Sequence, residues 1–322
     1  MNNCRKSLVV VWAVFTMATA IAADYPVRPI RFIVPSASGG APDMNARLLA
    51  TELSKQMGQQ VVVDNRPGAS QFIGMEMIGR SAPDGYTIGY GTNTGLAANR
   101  SLFAKLPYNP DKDFQMVMQL LVGFNVLVVV PSLPVKSVQE LIDYAKNNSD
   151  KLTFGSNGNG SSQHIAGELF KLLTGTQMVH APYKGSAQAD TDLIGGRVQL
   201  IFENVGPILP HIKAGRVRAL GVTGLRRSSV LPDVPPISEV GVPGYELTTF
   251  TGVIVPAGVP KAIVAKLNAE SNKAIALPGM KEKYAAIGYE LVGGTSEQFD
   301  ALVKKEIVKW ADIVKRAGVK TD

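Results

Sequence analysis

The sequence is short of the residues on which most enzyme chemistry depends. It holds one cysteine and three histidines in 322 residues. Cys4 precedes an apolar run from Leu8 to Ala18, with Arg5 and Lys6 ahead of the run and Ala20-Ile21-Ala22 behind it. A basic start, a short apolar core and small residues at a cleavage point read as a secretory signal peptide over 1–23, cut after Ala22 or Ala23. The run is too short to span a bilayer, and no later segment reaches that length uninterrupted. The exported chain would carry no thiol, which excludes disulfides and cysteine nucleophiles in a compartment that would permit both. Lying before the apolar run, Cys4 is also misplaced for a lipid-modified first residue.

Charge is sparse as well. Asp, Glu, Lys and Arg make up 18% of the chain, with a net charge of +7; losing Arg5 and Lys6 from that +7 leaves +5, spread along the sequence. No basic run is interleaved with aromatics, so no nucleic-acid partner is expected. His164, His180 and His211 are not spaced as H-E-x-x-H, and no G-x-S-x-G elbow occurs. Neither a metal nor a cofactor is expected, and a hydrolytic nucleophile has no base in sequence. Gly155-x-x-Gly158-x-Gly160 has the wrong order for a dinucleotide turn, and His180 stands where an acid would hold a ribose.

What is abundant is apolar sequence cut by glycine-rich turns. Hydrophobic residues reach 45%, with 32 glycines and 20 prolines. Some 300 exported residues suffice for two domains. Ile30 to Val34 reads as a buried strand ended by Pro35. Pro42 and Asp43 then open a helix with Met44, Leu48, Leu49, Leu53 and Met57 at helical spacing, closed by Gly58. The turn between, Ser36 to Gly40, directs backbone N–H groups and a helix N-terminus at whatever lies above the strand end, which is an anion site without a charged side chain. Gly40 is expected to hold a backbone shape closed to a branched residue.

The rhythm continues. A strand at 60–63, a helix from about 69 to 80 and a strand at 86–90 complete a β-α-β-α-β series, hence a parallel sheet with helices on both faces. The run 115–131 reads as two buried strands bent at Gly123, crossing to a second series of the same kind. That series has strands at 152–155, 178–181, 198–202 and 217–222. The long strand 246–255 reads as the return crossing, and Thr295 with Gln298 caps the last helix. The expected class is α/β: two doubly wound sheets joined by crossing strands, with 24–122 plus 250–322 as one lobe and 123–249 as the other.

Ligands of open α/β sheets sit outside the carboxyl ends of the strands. Five polar turns occupy that place: Ser36–Gly40, Pro67–Ser70, Thr92–Thr94, Ser156–Ser162 and Lys184–Ser186. They supply hydroxyls, amides and N–H groups suited to a carboxylate. Ser70, Thr92 and Asn93 enter the candidate site on this ground. Glu203, with Asn204, ends a strand at the cleft and either meets a donor on the ligand or bonds to the hinge. His164 starts a helix and either touches ligand or packs beside the cleft. Asp43 orients the first turn or a water, or only favours the helix dipole.

These residues resemble the substrate-binding proteins of tripartite tricarboxylate transporters, the Bug-type periplasmic receptors. The resemblance is carried by Pro35–Arg47, Val62-Val63-Asp64-Asn65-Arg66-Pro67-Gly68-Ala69, Ala82-Pro83-Asp84-Gly85-Tyr86-Thr87, Leu106-Pro107-Tyr108-Asn109-Pro110, Gly160-Ser161-Ser162-Gln163-His164, Pro182-Tyr183-Lys184-Gly185, Leu209–Gly215 and Pro256-Ala257-Gly258-Val259-Pro260. It implies a two-lobed periplasmic binding-protein fold of type II that closes on a small organic carboxylate. It also implies delivery to a membrane permease or service as a sensor, with a monomer expected. Carried over residue by residue, it places Ser36, Ala37, Ser38, Gly39, Gly40 and Asp43 on one side of the ligand. Ser161, Ser162, Gln163, His164, Lys184, Gly185 and Ser186 fall on the other. The chain departs from the family pattern at Ser36-Ala37-Ser38, where an aromatic and prolines are usual. It departs again at Pro42, where Thr is usual, and at Ser70-Gln71-Phe72, where Gly-Gly-Asn is common. All three departures surround the expected pocket. Two rival readings share parts of this pattern: a secreted α/β hydrolase, which lacks a nucleophile–base signature here, and the effector domain of a regulator, which would need a helix-turn-helix and no leader.

Overall fold

The computed structural model describes residues 25–149, 151–316 and 318. The leader assigned to 1–23, including Cys4, Arg5 and Lys6, lies outside the described residues. Among those described, no helix is long and apolar enough to cross a membrane.

Strand β1 (Ile30–Val34) is buried along almost its whole length, as a central parallel strand covered on both faces must be. Helix α1 (Ala41–Met57) follows, with proline in its first turn and Gly58 left-handed at its end. Strands β2 (Val61–Asn65) and β3 (Thr87–Thr92) flank β1 in parallel. Strand β2 runs further than its apolar residues alone suggest. Asp64 is held by Arg31 and Arg66, and the Asn65 amide donates to the Ser36 carbonyl (3.1 Å), so both polar residues pay for their place in the ladder. The helix expected over 69–80 is broken. A 3₁₀ turn, Ala69–Gln71, precedes α2 (Phe72–Gly79), because Ser70 (φ 52°) and Gln71 (φ 76°) are both left-handed.

A π-helical turn (Thr94–Ala98) and the short α3 (Asn99–Leu102) lead to β4 (Phe114–Val129). Here the expected pair of bent strands is a single strand of sixteen residues without proline or charge. Gly123 does not break it. A Cβ at Gly123 would fall 2.5 Å from the Tyr289 ring, so the glycine admits a side chain, not a bend. The second series comprises α4 (Val138–Asn147), β5 (Thr153–Ser156), α5 (Ser162–Thr174), β6 (Val179–Pro182), α6 (Ser186–Ile194), β7 (Leu200–Asn204), α7 (Val205–Lys213) and β8 (Arg218–Val222). The chain returns in β9 (Thr248–Pro256), then α8 (Lys261–Ile275), α9 (Met280–Ala286), β10 (Glu290–Leu291) and α10 (Ser296–Arg316). Thr295 and Gln298 cap α10 reciprocally.

The strands form one path, β2-β1-β3-β9-β4-β7-β5-β6, with β8 and β10 each paired to β4. Strand β4 belongs to both halves. Phe114 to Phe124 pair with β9, and Asn125 to Val129 pair with β7 and β8. The return does not cross within β9, whose first residue, Thr248, already pairs with Phe124. The chain re-enters just before it. Thr223 ties the junction: Asn125 N–H donates to its hydroxyl, which donates to the Leu247 carbonyl (2.8 and 2.7 Å). The fold is two-lobed, and its lobes touch across the cleft. A Cβ on Gly185 would meet the Ala37 methyl at 3.1 Å, and one on Gly160 the Leu102 side chain at 2.6 Å.

Candidate functional site

The five strand-end turns converge. One cavity of about 180 Å³ is lined by Ser36 after β1, Gly68 and Ser70 after β2, Thr94 after β3, Asn157 to Asn159 and Ser161 after β5, and Tyr183 to Gly185 after β6. A smaller cavity of about 40 Å³ lies inward of it; Gln71, Thr94, Asn157 and Ser161 line both. Lys184 is the one cation among the described residues lining either cavity. The N-termini of α5 and α6 open at the same turns, so their unpaired N–H groups add positive potential there.

The first-lobe wall is shaped by local backbone geometry. Asp43, 3% exposed, accepts from Gly39 N–H (2.9 Å) and the Ser38 hydroxyl (3.4 Å) and pairs with Arg47 (2.9 Å). Burial pulls its pKa up, but the bonds from Arg47, Gly39 and Asn65 win and hold the carboxyl below its usual range. Asp43 therefore fastens the turn and does not line either cavity. Ser38, Gly39 and Gly40 do not line them either, and Ala37 faces Gly185. The expectation for Gly40 is corrected: its φ of −79° suits any residue, and a Cβ there meets only ordinary contacts, whereas Gly39 (φ +81°) needs to be glycine. Gln71 was not among the expected site residues. Its left-handed backbone turns the side chain toward Thr92, whose hydroxyl donates to Gln71 Oε1 (2.6 Å). Thr92 and Asn93 line the inner cavity, as expected from their turn.

The second-lobe wall is held by a buried side-chain network. Glu203 is fully buried, and its Oε1 accepts four bonds: from Gln163 Nε2 (2.5 Å), Ser186 Oγ (3.1 Å), Asn204 N–H (2.7 Å) and Asn204 Nδ2 (3.1 Å). These donors come from the first turns of α5 and α6 and from the end of β7. Gln163 relays the order onward, since its Oε1 accepts from Asn157 N–H. Asp190, one turn into α6, lies against Glu203. Burial first, then the Glu203 charge, push its pKa up to about 9, and burial likewise raises Glu203. Burial thus pushes both carboxyls of the pair toward the protonated form. Gln163, Ser186 and Glu203 thus stand behind the cavity wall, and Ser161, Ser162, Lys184 and Gly185 form it.

His164 stands behind the wall as well. Its Nδ1 accepts from Gly160 N–H (3.1 Å), and its ring stacks on His180 (3.9 Å between centroids), which bonds the Ser156 hydroxyl (2.7 Å). Burial, then Lys171, lowers His164 to about 4; burial, His164 and Lys171 lower His180 to about 3. Both rings are neutral at ordinary pH and serve the turn after β5. Asn45, Asn157, Asn204 and Tyr289 line the inner cavity without having been singled out as ligand contacts. Asn204 carried a signal as the residue after Glu203, and Asn157 as part of the Ser156–Ser162 turn; Asn45 and Tyr289 arrive by tertiary packing.

A sequence profile described as the tripartite tricarboxylate transporter family receptor matches residues 45–319. The chain belongs to this receptor family. BugT of Bordetella pertussis is 37% identical over 306 residues, covering 94% of each chain. Among solved structures, an R. palustris protein with adipate superposes with a TM-score of 0.90 at 38% identity, over 92% of this chain and all of that one. The periplasmic binding protein BugD gives 0.88 at 33%, with the same coverage. MatC from Rhodopseudomonas palustris with bound malate gives 0.86 at 31%, over 90% of this chain and all of that one. The two-lobed reading and the receptor resemblance both stand on these matches.

Proposed function

We propose that this receptor is exported to the periplasm and captures a small organic carboxylate between its lobes for a membrane permease of the tripartite tricarboxylate type. The carrying observation is the convergence of all five strand-end turns on one cavity, with Lys184 and two helix N-termini around it. Relatives solved with adipate and malate agree in ligand class. Ser36, Ser70, Ser161, Lys184 and Gly185 contact the carboxylate, while Asp43, Gln163, Ser186 and Glu203 hold the contacting turns in place. Binding, not turnover, is the reading for the serines that line the cavity, because both nearby imidazoles are engaged in the turn and stack. The leader ends near Ala23, the chain works as a monomer, and the lobes move about the junction where β4 passes from β9 to β7 at Phe124–Asn125 and the chain re-enters at Leu247–Thr248, close to the expected bounds of 122/123 and 249/250.

A thermal-shift screen of mono-, di- and tricarboxylates tests this. A ligand that binds only the native state raises Tm; at a hundredfold excess over Kd the gain is about 2.7 kcal/mol. At least one carboxylate should raise Tm in a saturable way. A flat screen across all of them, with shifts from sugars or cations instead, would remove the carboxylate.

A further inference from the structure

Resting on that receptor reading, we propose that Gln71 is the specificity-determining residue of this receptor: its side-chain amide stands at the neck between the two cavities and takes a second acceptor oxygen of the ligand. Gln71, Thr94, Asn157 and Ser161 line both cavities, so a ligand anchored beside Lys184 and extending inward passes them. The backbone of Gln71 is left-handed there (φ 76°, ψ 0°), a shape for which glycine is the default residue. A long side chain kept at a strained position beside a cavity points to a role for that side chain.

The amide is held from both ends. Behind it, Gln71 N–H donates to the Gly68 carbonyl (3.0 Å), and Asn99 Nδ2 donates to the Ser70 carbonyl (2.9 Å) and the Tyr108 hydroxyl (3.0 Å), which fixes the kinked backbone. Ahead of it, the Thr92 hydroxyl accepts from Gly95 N–H (3.1 Å) and donates its one proton to Gln71 Oε1 (2.6 Å). Thr92 itself lines the inner cavity, so this bond draws the amide to the cavity side. With Oε1 engaged, Nε2 keeps two N–H donors. It donates to no group among the described residues and is not sealed in the interior. Those donors call for an acceptor, which a carboxylate or carbonyl oxygen supplies and a methylene does not. A hydrocarbon arm closed into the neck would leave them unpaired, and sites built to hydrogen-bond a ligand group discriminate strongly against analogues lacking it. The ligand that fits therefore carries an acceptor oxygen beyond its anchored carboxylate.

Calorimetry on the exported chain with pairs matched in length tests the proposal: succinate against butyrate, glutarate against pentanoate, adipate against hexanoate. The dioate of at least one pair should bind at least about tenfold more tightly. Gln71→Met keeps the length of the side chain and removes both donors; it should cut that ratio to less than about threefold and leave the alkanoate within about twofold of its wild-type affinity. Should it fail to fold by circular dichroism, Gln71→Gly, whose backbone suits φ 76°, replaces it with the same expectation. Equal affinities within every pair in the wild type would overturn the proposal. A ratio unchanged in a folded variant would overturn it too, as would an equal loss for both members of a pair, which would make Gln71 a support of the wall and not a reader of the ligand. If neither member of any pair binds, along with every other carboxylate screened, the receptor reading falls and this proposal with it.

Discussion

The two walls of the cleft present similar polar turns but hold them by different means. On the first-lobe side the turn after β1 is fastened four residues away by Asp43, and the turn after β2 is shaped by two left-handed residues, Ser70 and Gln71. On the second-lobe side one buried carboxylate, Glu203, gathers Gln163, Ser186 and Asn204 from up to forty residues away. The first wall stores its shape in local backbone geometry, and the second in long-range side-chain bonds. A local device survives the loss of one side chain elsewhere, whereas a hub does not.

The largest effect should come from removing the hub. Glu203→Ala leaves the Gln163, Ser186 and Asn204 donors unpaired in a dry interior. Breaking such a network costs about 3–5 kcal/mol, readable by urea denaturation. Asp190→Asn should behave in the opposite way. Asp190 keeps its proton up to about pH 9 when folded, so folding takes up a proton and wild-type stability falls as pH rises from the ordinary carboxyl range toward 9. The amide removes the buried titrating carboxyl, so the variant should gain on the wild type steadily as pH is raised. If Glu203→Ala melts like wild type, the contrast between the walls is broken.

A smaller effect belongs to the contact between the walls. Gly185→Val would place a branched side chain where a Cβ already lies 3.1 Å from Ala37. The backbone there is extended (φ 178°) and accepts valine without strain, so the fold should survive. Closure should not: carboxylate affinity by calorimetry should fall at least tenfold, about 1.4 kcal/mol. The smallest effect sharpens the local side. Ser70→Gly removes a left-handed non-glycine residue but adds unfolded-chain entropy, for a net gain of about 0.5 kcal/mol. A loss of stability would mean that the Ser70 side chain, and not the backbone, shapes that turn.

The same contrast explains what could be read from sequence. Strand β1, the proline-opened α1 with Gly58 at its end, and the Thr295–Gln298 box are local patterns and stand as expected. The five strand-end turns were legible because each follows its own strand. The kink at Ser70-Gln71 was not, since neither residue is a glycine, and Gly123 misled because its role is to admit Tyr289 from far along the chain. The inner wall was the least legible part. Asn45 and Tyr289 are separated by most of the sequence and meet only in the folded chain. Asp190 carried a usable signal, one turn after Ser186 on the same helix face, but nothing local tied it to Glu203.

A crystal structure with the most stabilising carboxylate bound tests the central claim most directly. The account predicts one carboxylate group in the outer cavity, contacted by Ser36, Ser161 and Lys184, with the rest of the ligand reaching past Gln71 toward Asn45. A ligand held instead in the roughly 310 Å³ cavity beside Phe124, Arg226 and Glu290, with the strand-end turns untouched, would contradict it.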